Sequence, residues 1–294
     1  MDFAEVVMNK QKTAISTKKK RTGSTGGAPI PLPGRNAMEG FMAGMVGGGG
    51  RSKVDQAQEV MYDAWEAGTL KRRVELARKA LDISPDCADA YALLARESTK
   101  SLADAIDLNR KGVEAGERAL GKRGFKEFVG HFWGHLETRP YMRARQGLAQ
   151  CLWEAGQRDE AVSHYRDMLR LNPNDNQGVR YVLATCLIDL GLDDELAKLL
   201  KQYQDDGAAA WAYSTALLSF RKTGDSEDSR QLLSDAKQTN PHVPAYLLGK
   251  KKMPKQLPDY VGMGDDNEAV AYVADSASGW KKTPGALEWL AAVT

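Results

Sequence analysis

The stretch MRARQGLAQCLWEAGQRDEAVSHYRDMLRLNPND, residues 142–175, decides the fold. Leu148, Ala149 and Leu152 recur at helical spacing, Gly156 interrupts them, Ala161, Tyr165, Met168 and Leu169 resume the period, and Asn172-Pro173 ends it. In a pair of antiparallel helices each of these residues has a physical task. Ala149 and Ala161 are small enough to let the helices approach, Tyr165 fills the space between pairs, Gly156 supplies the turn, and Pro173 cannot continue the second helix.

The pattern repeats along the chain. A shift of 35 residues carries Leu148, Ala149, Cys151, Leu152 and Gly156 onto Leu183, Ala184, Cys186, Leu187 and Gly191. A third copy, residues 210–240, has Ala216-Leu217, Phe220, Gly224, Leu233, Ala236 and Asn240-Pro241, and residues 55–84 give another with Gly68, Ala77, Ala80-Leu81 and Pro85. The intervals Gly68 to Pro85, Gly156 to Pro173 and Gly224 to Pro241 are all 17 residues, and Pro173 and Pro241 lie 68 apart, twice 34. A degenerate pair spans residues 87–117. A 34-residue period is the tetratricopeptide length. The expected fold is therefore all-α, a right-handed tetratricopeptide-like helical solenoid of about five pairs over residues 54–241, with an insertion at 119–140. Residues 242–294 are expected to form a connector, through residue 264, and a C-terminal helical cap. That cap reads as two helical stretches, residues 267–277 and 284–293.

Residues 1–53 have a different character, with Lys18-Lys19-Lys20-Arg21, Pro29-Ile30-Pro31-Leu32-Pro33-Gly34 and the glycine run 47–50. Such a segment buries too little apolar surface to offset its backbone entropy and is expected to be a disordered basic tail. Met38, Phe41, Met42, Met45 and Val46 offer a short docking helix as the alternative. The tail carries nine Lys/Arg and three Asp/Glu, a net +6 within a chain of +2, so the rest is mildly acidic at −4. Cys87, Cys151 and Cys186 form no C-x-x-C pair and no secreted disulfide framework, which suits a reducing cytoplasm. The longest uncharged run, residues 207–220, is 14 residues, short of the roughly 18 a spanning helix needs. The N-terminus lacks a secretory h-region. A cytoplasmic protein with no cofactor is expected.

Asn240-Pro241-His242-Val243-Pro244-Ala245-Tyr246-Leu247-Leu248, followed by Glu268-Ala269-Val270-Ala271-Tyr272, Trp280 and Gly285-Ala286-Leu287, carries a more specific signal. With the weaker match Cys87-Ala88-Asp89-Ala90-Tyr91-Ala92-Leu93-Leu94-Ala95, it resembles the suppression of tumorigenicity 7 protein family, in a short, soluble, bacterial-looking form. The resemblance implies an α-helical interaction protein and supplies no catalytic residues. The animal members look like membrane proteins, and this sequence departs from them in having no spanning segment.

Chemistry has one candidate constellation. His131 and His135, at i and i+4 with Glu137 behind, would share one face of a helix and suggest a metal-dependent enzyme, although Gly130 and Gly134 weaken a helix there. Cys151 and Cys186 occupy equivalent packed positions and read as small hydrophobes, and no phosphate-binding or serine-nucleophile motif occurs. The basic tail could associate with nucleic acid or another anion, but no aromatic is interleaved to stack on bases. The leading expectation is a non-enzymatic scaffold binding a protein or peptide, with neither membrane nor nucleic acid as partner.

Its surface would be lined by first-helix residues: Gln58, Tyr62 and Trp65, then Arg143, Gln146, Gln150 and Trp153, then Tyr181, Thr185 and Ile188, then Trp211, Ser214 and Leu218. Aromatic and Arg anchors beside amides suit a bound peptide, while Trp65 and Trp153 could equally pack between repeats. The insertion 119–140 would place Phe125, Phe128, Phe132 and Trp133 either along a wall of this groove, leaving Arg139 and Arg143 at its mouth, or as a plug between repeats.

Overall fold

The glycine and proline punctuation separates α-helices in the computed structural model, which describes residues 52–293. Residues 1–51, with the Lys18–Arg21 run and the candidate docking helix at 36–46, lie outside the described residues, while Lys53, read as the end of the tail, instead opens the first helix. Among the described residues there are thirteen α-helices and no strand. They form two compact units, which divide at residues 179/180.

The first unit holds α1 (Lys53–Glu66), α2 (Leu70–Ile83), α3 (Ala88–Glu97), α4 (Leu102–Phe128), α5 (Arg139–Glu154) and α6 (Arg158–Leu171). Starts and stops are local. Ser52 and Asp55 cap α1 reciprocally, with the Asp55 amide donating to Ser52 Oγ at 3.1 Å and the Ser52 amide donating to Asp55 Oδ2 at 2.9 Å. Thr69 and Ser101 cap α2 and α4 through their hydroxyls. Gly156 takes φ +79°, as Gly191 and Gly224 do at +70° and +65° in the second unit, so three inter-helix turns require a residue without Cβ. Pro85, Pro173 and Pro241 all stand two residues past the end of a helix. Ala149, Ala161 and Tyr165 are buried at the helix contacts. First helices also stack directly, α1 on α3 and α3 on α5, as in a tetratricopeptide array.

The glycine-rich segment corrects one expectation. Residues 119–128 are not an irregular insertion but continue α4, which breaks at Gly121 (φ 58°, ψ 176°) and resumes to Phe128. Glycine tolerates that break, and the apolar spacing of Phe125 and Phe128 sustains the second half. Gly112 and Gly116 in the same helix serve packing instead of turning. A Cβ at Gly116 would lie 2.8 Å from Tyr141 Cβ, and one at Gly112 would lie 3.0 Å from Ala144 Cβ. This close approach of α4 to α5 explains why the repeat looks degenerate in sequence.

The second unit holds α7 (Val179–Leu190, from Arg180 onward), α8 (Asp193–Gln202), α9 (Ala209–Thr223), α10 (Glu227–Thr239), α11 (Val243–Leu247), α12 (Asp266–Lys282) and α13 (Ala286–Val293). The last three lie in the stretch read from sequence as connector and cap. α11 falls within the stretch read as connector, and α12 is longer than the 267–277 expected. α12 packs on α9, and α13 packs on α11 and α12. Trp280 is fully buried, and Trp289 stacks on Phe220 with ring centroids 4.5 Å apart.

Candidate functional site

In the first unit, side chains of α1, α3 and α5 meet around one carboxylate. Asp89, 1% exposed, accepts from Arg143 Nε at 2.7 Å on Oδ1 and from Arg143 Nη2 at 2.5 Å on Oδ2. Gln58 Nε2 donates to the same carboxylate at 2.8 Å. The bidentate pairing fixes the plane of the guanidinium. That plane lies over the ring of Trp65, with Cζ 4.8 Å from the ring centroid, and Cζ is 5.9 Å from the Trp133 centroid. Tyr62 joins the group at 5.6 Å from Trp65. Trp65 and Tyr62 are half-buried, so part of each ring faces solvent.

The expected site residues of this unit thus do not form one surface. Trp65, Tyr62 and Arg143 come together, while Gln146 accepts from Gln177 Nε2 at 2.9 Å and Gln150 is half-buried farther along α5. Trp153 is buried, with Arg158 Cζ 4.0 Å from its ring centroid, so it packs within the repeat. Arg143 is not a loose charge at a groove mouth, because Asp89 holds it. Arg139 is likewise engaged, donating from Nε to the Trp133 carbonyl at 2.9 Å.

The end of the insertion is compact. Phe132 is fully buried, 5.3 Å from Phe125 and 6.0 Å from Tyr141 between ring centroids. The Gly130 amide donates to the Leu171 carbonyl at 2.8 Å, and the Trp133 amide to Asn172 Oδ1 at 3.4 Å, which joins the segment to the end of α6. His131 and His135 flank a 3₁₀ turn, Phe132–Gly134, and do not share a face of an α-helix. His131 is exposed, whereas the His135 ring lies tilted against Phe128 with centroids 4.2 Å apart. The geometric premise of the metal reading therefore fails, since Gly130 (φ +93°) ends the helix before it reaches either histidine. Among the described residues no group of three His, Cys, Asp or Glu is placed to hold a metal ion. Burial pushes the Cys87 thiol up to about 12 and the Cys151 thiol to about 11, so neither is a thiolate near neutral pH.

The second unit has its own aromatic and Arg cluster. Arg180 Nε donates to Asp206 Oδ2 at 2.6 Å, and its Cζ stands 4.3 Å from the Tyr181 centroid and 5.4 Å from that of Tyr203. Tyr181 meets Trp211 edge-on at 5.6 Å, and its hydroxyl donates to Asp206 Oδ2 at 2.8 Å. Trp211 is buried and donates to the Leu200 carbonyl at 3.3 Å, while the Thr185 hydroxyl turns back onto the Tyr181 carbonyl at 3.2 Å. Burial raises the Asp206 pKa, but the Ala208 amide, Arg180 and Tyr181 outweigh it, so the carboxyl titrates below its ordinary value. A depressed folded-state pKa contributes stability above the unfolded value that is lost as pH falls through the folded one. Wild-type stability is thus expected to fall more steeply than that of Asp206→Asn below about pH 4. Melting temperatures of the two proteins across that range test this, and parallel curves would contradict it.

Sequence reasoning missed Asp89 and Asp206, because a carboxylate's partner on another helix leaves no local signal. It also missed the task of the C-terminal string. Glu268, 8% exposed, accepts from the Ala209 amide at 2.9 Å, from Asn240 Nδ2 at 3.0 Å and from the Gly264 amide at 2.7 Å. Asn240 also donates to the Asp265 carbonyl at 2.9 Å and accepts from the His242 amide at 3.0 Å. The Trp280 indole donates to the Tyr272 hydroxyl at 2.8 Å. Asn240, His242, Glu268, Tyr272 and Trp280 together tie α12 to α9 and α10. Residues 50–294 match the family model described as ST7 protein. The chain belongs to the ST7 family.

Among ST7 relatives, the Protein ST7 homolog of Caenorhabditis elegans is 30% identical over 277 residues, covering 80% of this chain and 50% of the relative. The human Suppressor of tumorigenicity 7 protein-like is 30% identical over 255 residues, covering 79% of this chain and 44% of its own length. The chain therefore spans about half the length of the curated ST7 relatives it matches. Among solved structures, YrrB, a TPR protein described as having an unusual peptide-binding site, superposes with a TM-score of 0.46 at 21% identity, covering 64% of this chain and 87% of that one. No described helix is long and apolar enough to cross a membrane.

Proposed function

We propose that this ST7-family chain is a non-enzymatic cytoplasmic scaffold that holds a peptide or protein segment on the first-helix face of its first unit. The observation supporting this reading is the Asp89–Arg143–Trp65 arrangement. A buried carboxylate fixes a guanidinium over a half-exposed indole, so the anchor is ordered before any partner arrives, which lowers the entropic cost of binding. Tyr62 and Gln150 extend the surface with an aromatic edge and an amide. Half-exposed Trp, Tyr and Arg are the residue types on which binding energy concentrates.

The test begins with the partner segment that co-purifies with the tagged full chain, prepared as a synthetic peptide. Trp65→Leu keeps apolar packing on the α1 core while deleting the indole, and is expected to weaken peptide binding by about 2 kcal/mol, roughly thirtyfold. Calorimetric titration reads the result. Affinity unchanged by both Trp65→Leu and Gln150→Ala would remove this face from consideration.

A further inference from the structure

The segment between α11 and α12 combines exposed apolar side chains with unpaired positive charge. Tyr260 is 71% exposed, Met263 75%, Val261 47% and Met253 38%. The other exposed large apolar residues among those described, Leu70, Val129 and Val182, are single positions far apart in the sequence. Residues 249–264 hold four lysines and one aspartate, a net +3, although residues 54–294 as a whole are acidic. Lys251 is committed, since it pairs with Asp266 and lies over the Tyr246 ring at 5.0 Å. Lys250, Lys252 and Lys255 are exposed and have no ion-pair partner among the described residues.

Both limbs of this segment are pinned. The Lys251 amide donates to the Ala245 carbonyl at 2.8 Å, the Gly262 amide to Asp265 Oδ2 at 3.0 Å, and the Gly264 amide to the buried Glu268. The Lys251–Asp266 pair brings its two ends together, which makes the intervening residues an Ω-type loop. Pro254 and Pro258 restrict its backbone further.

We propose that residues 250–263 form a peripheral docking loop for an anionic lipid surface. Tyr260, Val261 and Met263 enter the headgroup region and the acyl boundary, and Lys250, Lys252 and Lys255 meet lipid phosphates. At about three-quarters exposed, Tyr260 and Met263 project from the surface instead of lining a groove, with Val261 half exposed between them, which suits a soft interface better than the gripping of a peptide. An amphipathic tyrosine is at home at headgroup level, and lysines gain there from the negative surface potential. From sequence, Lys250, Lys251, Lys252 and Lys255 read as a second basic cluster in a solvated connector; the exposed apolar side chains beside them are what the sequence reading did not supply.

Flotation of the full chain with vesicles of phosphatidylcholine, alone or mixed with phosphatidylserine, tests the proposal. Binding is expected only to the phosphatidylserine vesicles and should fall with added salt. Two triple variants are expected to weaken it at least tenfold: Tyr260→Ser with Val261→Ser and Met263→Ser, and Lys250→Glu with Lys252→Glu and Lys255→Glu. All six side chains are exposed, so circular dichroism melts should superpose on wild type. Failure to bind either vesicle overturns the proposal, as does equal binding to both. Binding untouched by both triple variants also overturns it and assigns the interaction to another part of the chain, such as the basic N-terminal segment. A wild-type chain that ignores vesicles but is retained on immobilised polyglutamate would assign the loop to an acidic protein partner instead. None of these outcomes alters the peptide titration at Trp65, so the two proposals stand or fall separately.

Discussion

Replacing Gly279 with alanine is expected to destabilise the protein by about 3 kcal/mol, although helix propensity alone predicts a gain of roughly 1 kcal/mol at an α12 position. A Cβ at residue 279 would lie 2.2 Å from Ile188 Cγ2, far inside the 3.5–4.0 Å at which carbon atoms pack comfortably. Ile188 cannot swing that methyl aside at low cost. It is 2% exposed and sits on α7, where a β-branched side chain has essentially one χ1 rotamer. The clash therefore displaces α12 and strains the Glu268 and Asn240 hydrogen bonds that hold it. Ile188→Ala removes the obstructing methyl and by itself costs ~2–5 kcal/mol through lost burial. The double variant should be more stable than the sum of the two single losses, by about 2 kcal/mol. Urea denaturation of the four proteins measures this coupling. A stabilised Gly279→Ala, or strict additivity, would show that the helices are not in such close contact.

The second large effect is expected at Phe132, where truncation to alanine should cost ~3–5 kcal/mol. Phe132 has no solvent exposure and is surrounded by Phe125 and Tyr141, on segments whose backbones are held by the Gly130–Leu171 hydrogen bond and by α4–α5 packing. A cavity opened there cannot collapse easily. Phe132→Leu, which keeps most of the volume, should cost about half as much. These values distinguish the two roles open to the insertion. A large stability loss with peptide affinity intact marks a plug between the second and third helical pairs. Lost affinity in a fold of unchanged stability would mark a wall of the binding face. The burial of Phe132 and of Trp133, 0% and 7% exposed, favours the plug.

Much of the fold was legible because its signals are local. The turn at Gly156, Gly191 and Gly224 needs positive φ, a proline two residues past a helix stops it, and apolar residues at a 3.6-residue period declare a helix without reference to anything distant. The 35-residue register then follows from repetition, and the hairpin stack from the requirement that each apolar stripe be covered. The family signature was legible too, since Asn240, Glu268, Tyr272 and Trp280 stand at characteristic places in the string.

The candidate site was legible only as a set of residue types. That Trp65 would meet Arg143 while Trp153 would be packed away depends on which side chain from another helix arrives opposite each one. Asp89 acquires its importance from Arg143, 54 residues later, and Glu268 from the Ala209 amide, 59 residues earlier. Glycines show the same division. Gly156 could be read from its own backbone requirement, whereas Gly116 and Gly279 are glycines because Tyr141 and Ile188 occupy the space a Cβ would need. Helix type, turn position and repeat length were therefore set by interactions within a few residues and could be taken from the sequence. Ion-pair partners, close helix contacts, the continuation of α4 past Gly121 and the outward-facing loop at 250–263 were decided only in the tertiary structure. Each depends on steric or electrostatic complementarity between residues that only folding brings within reach.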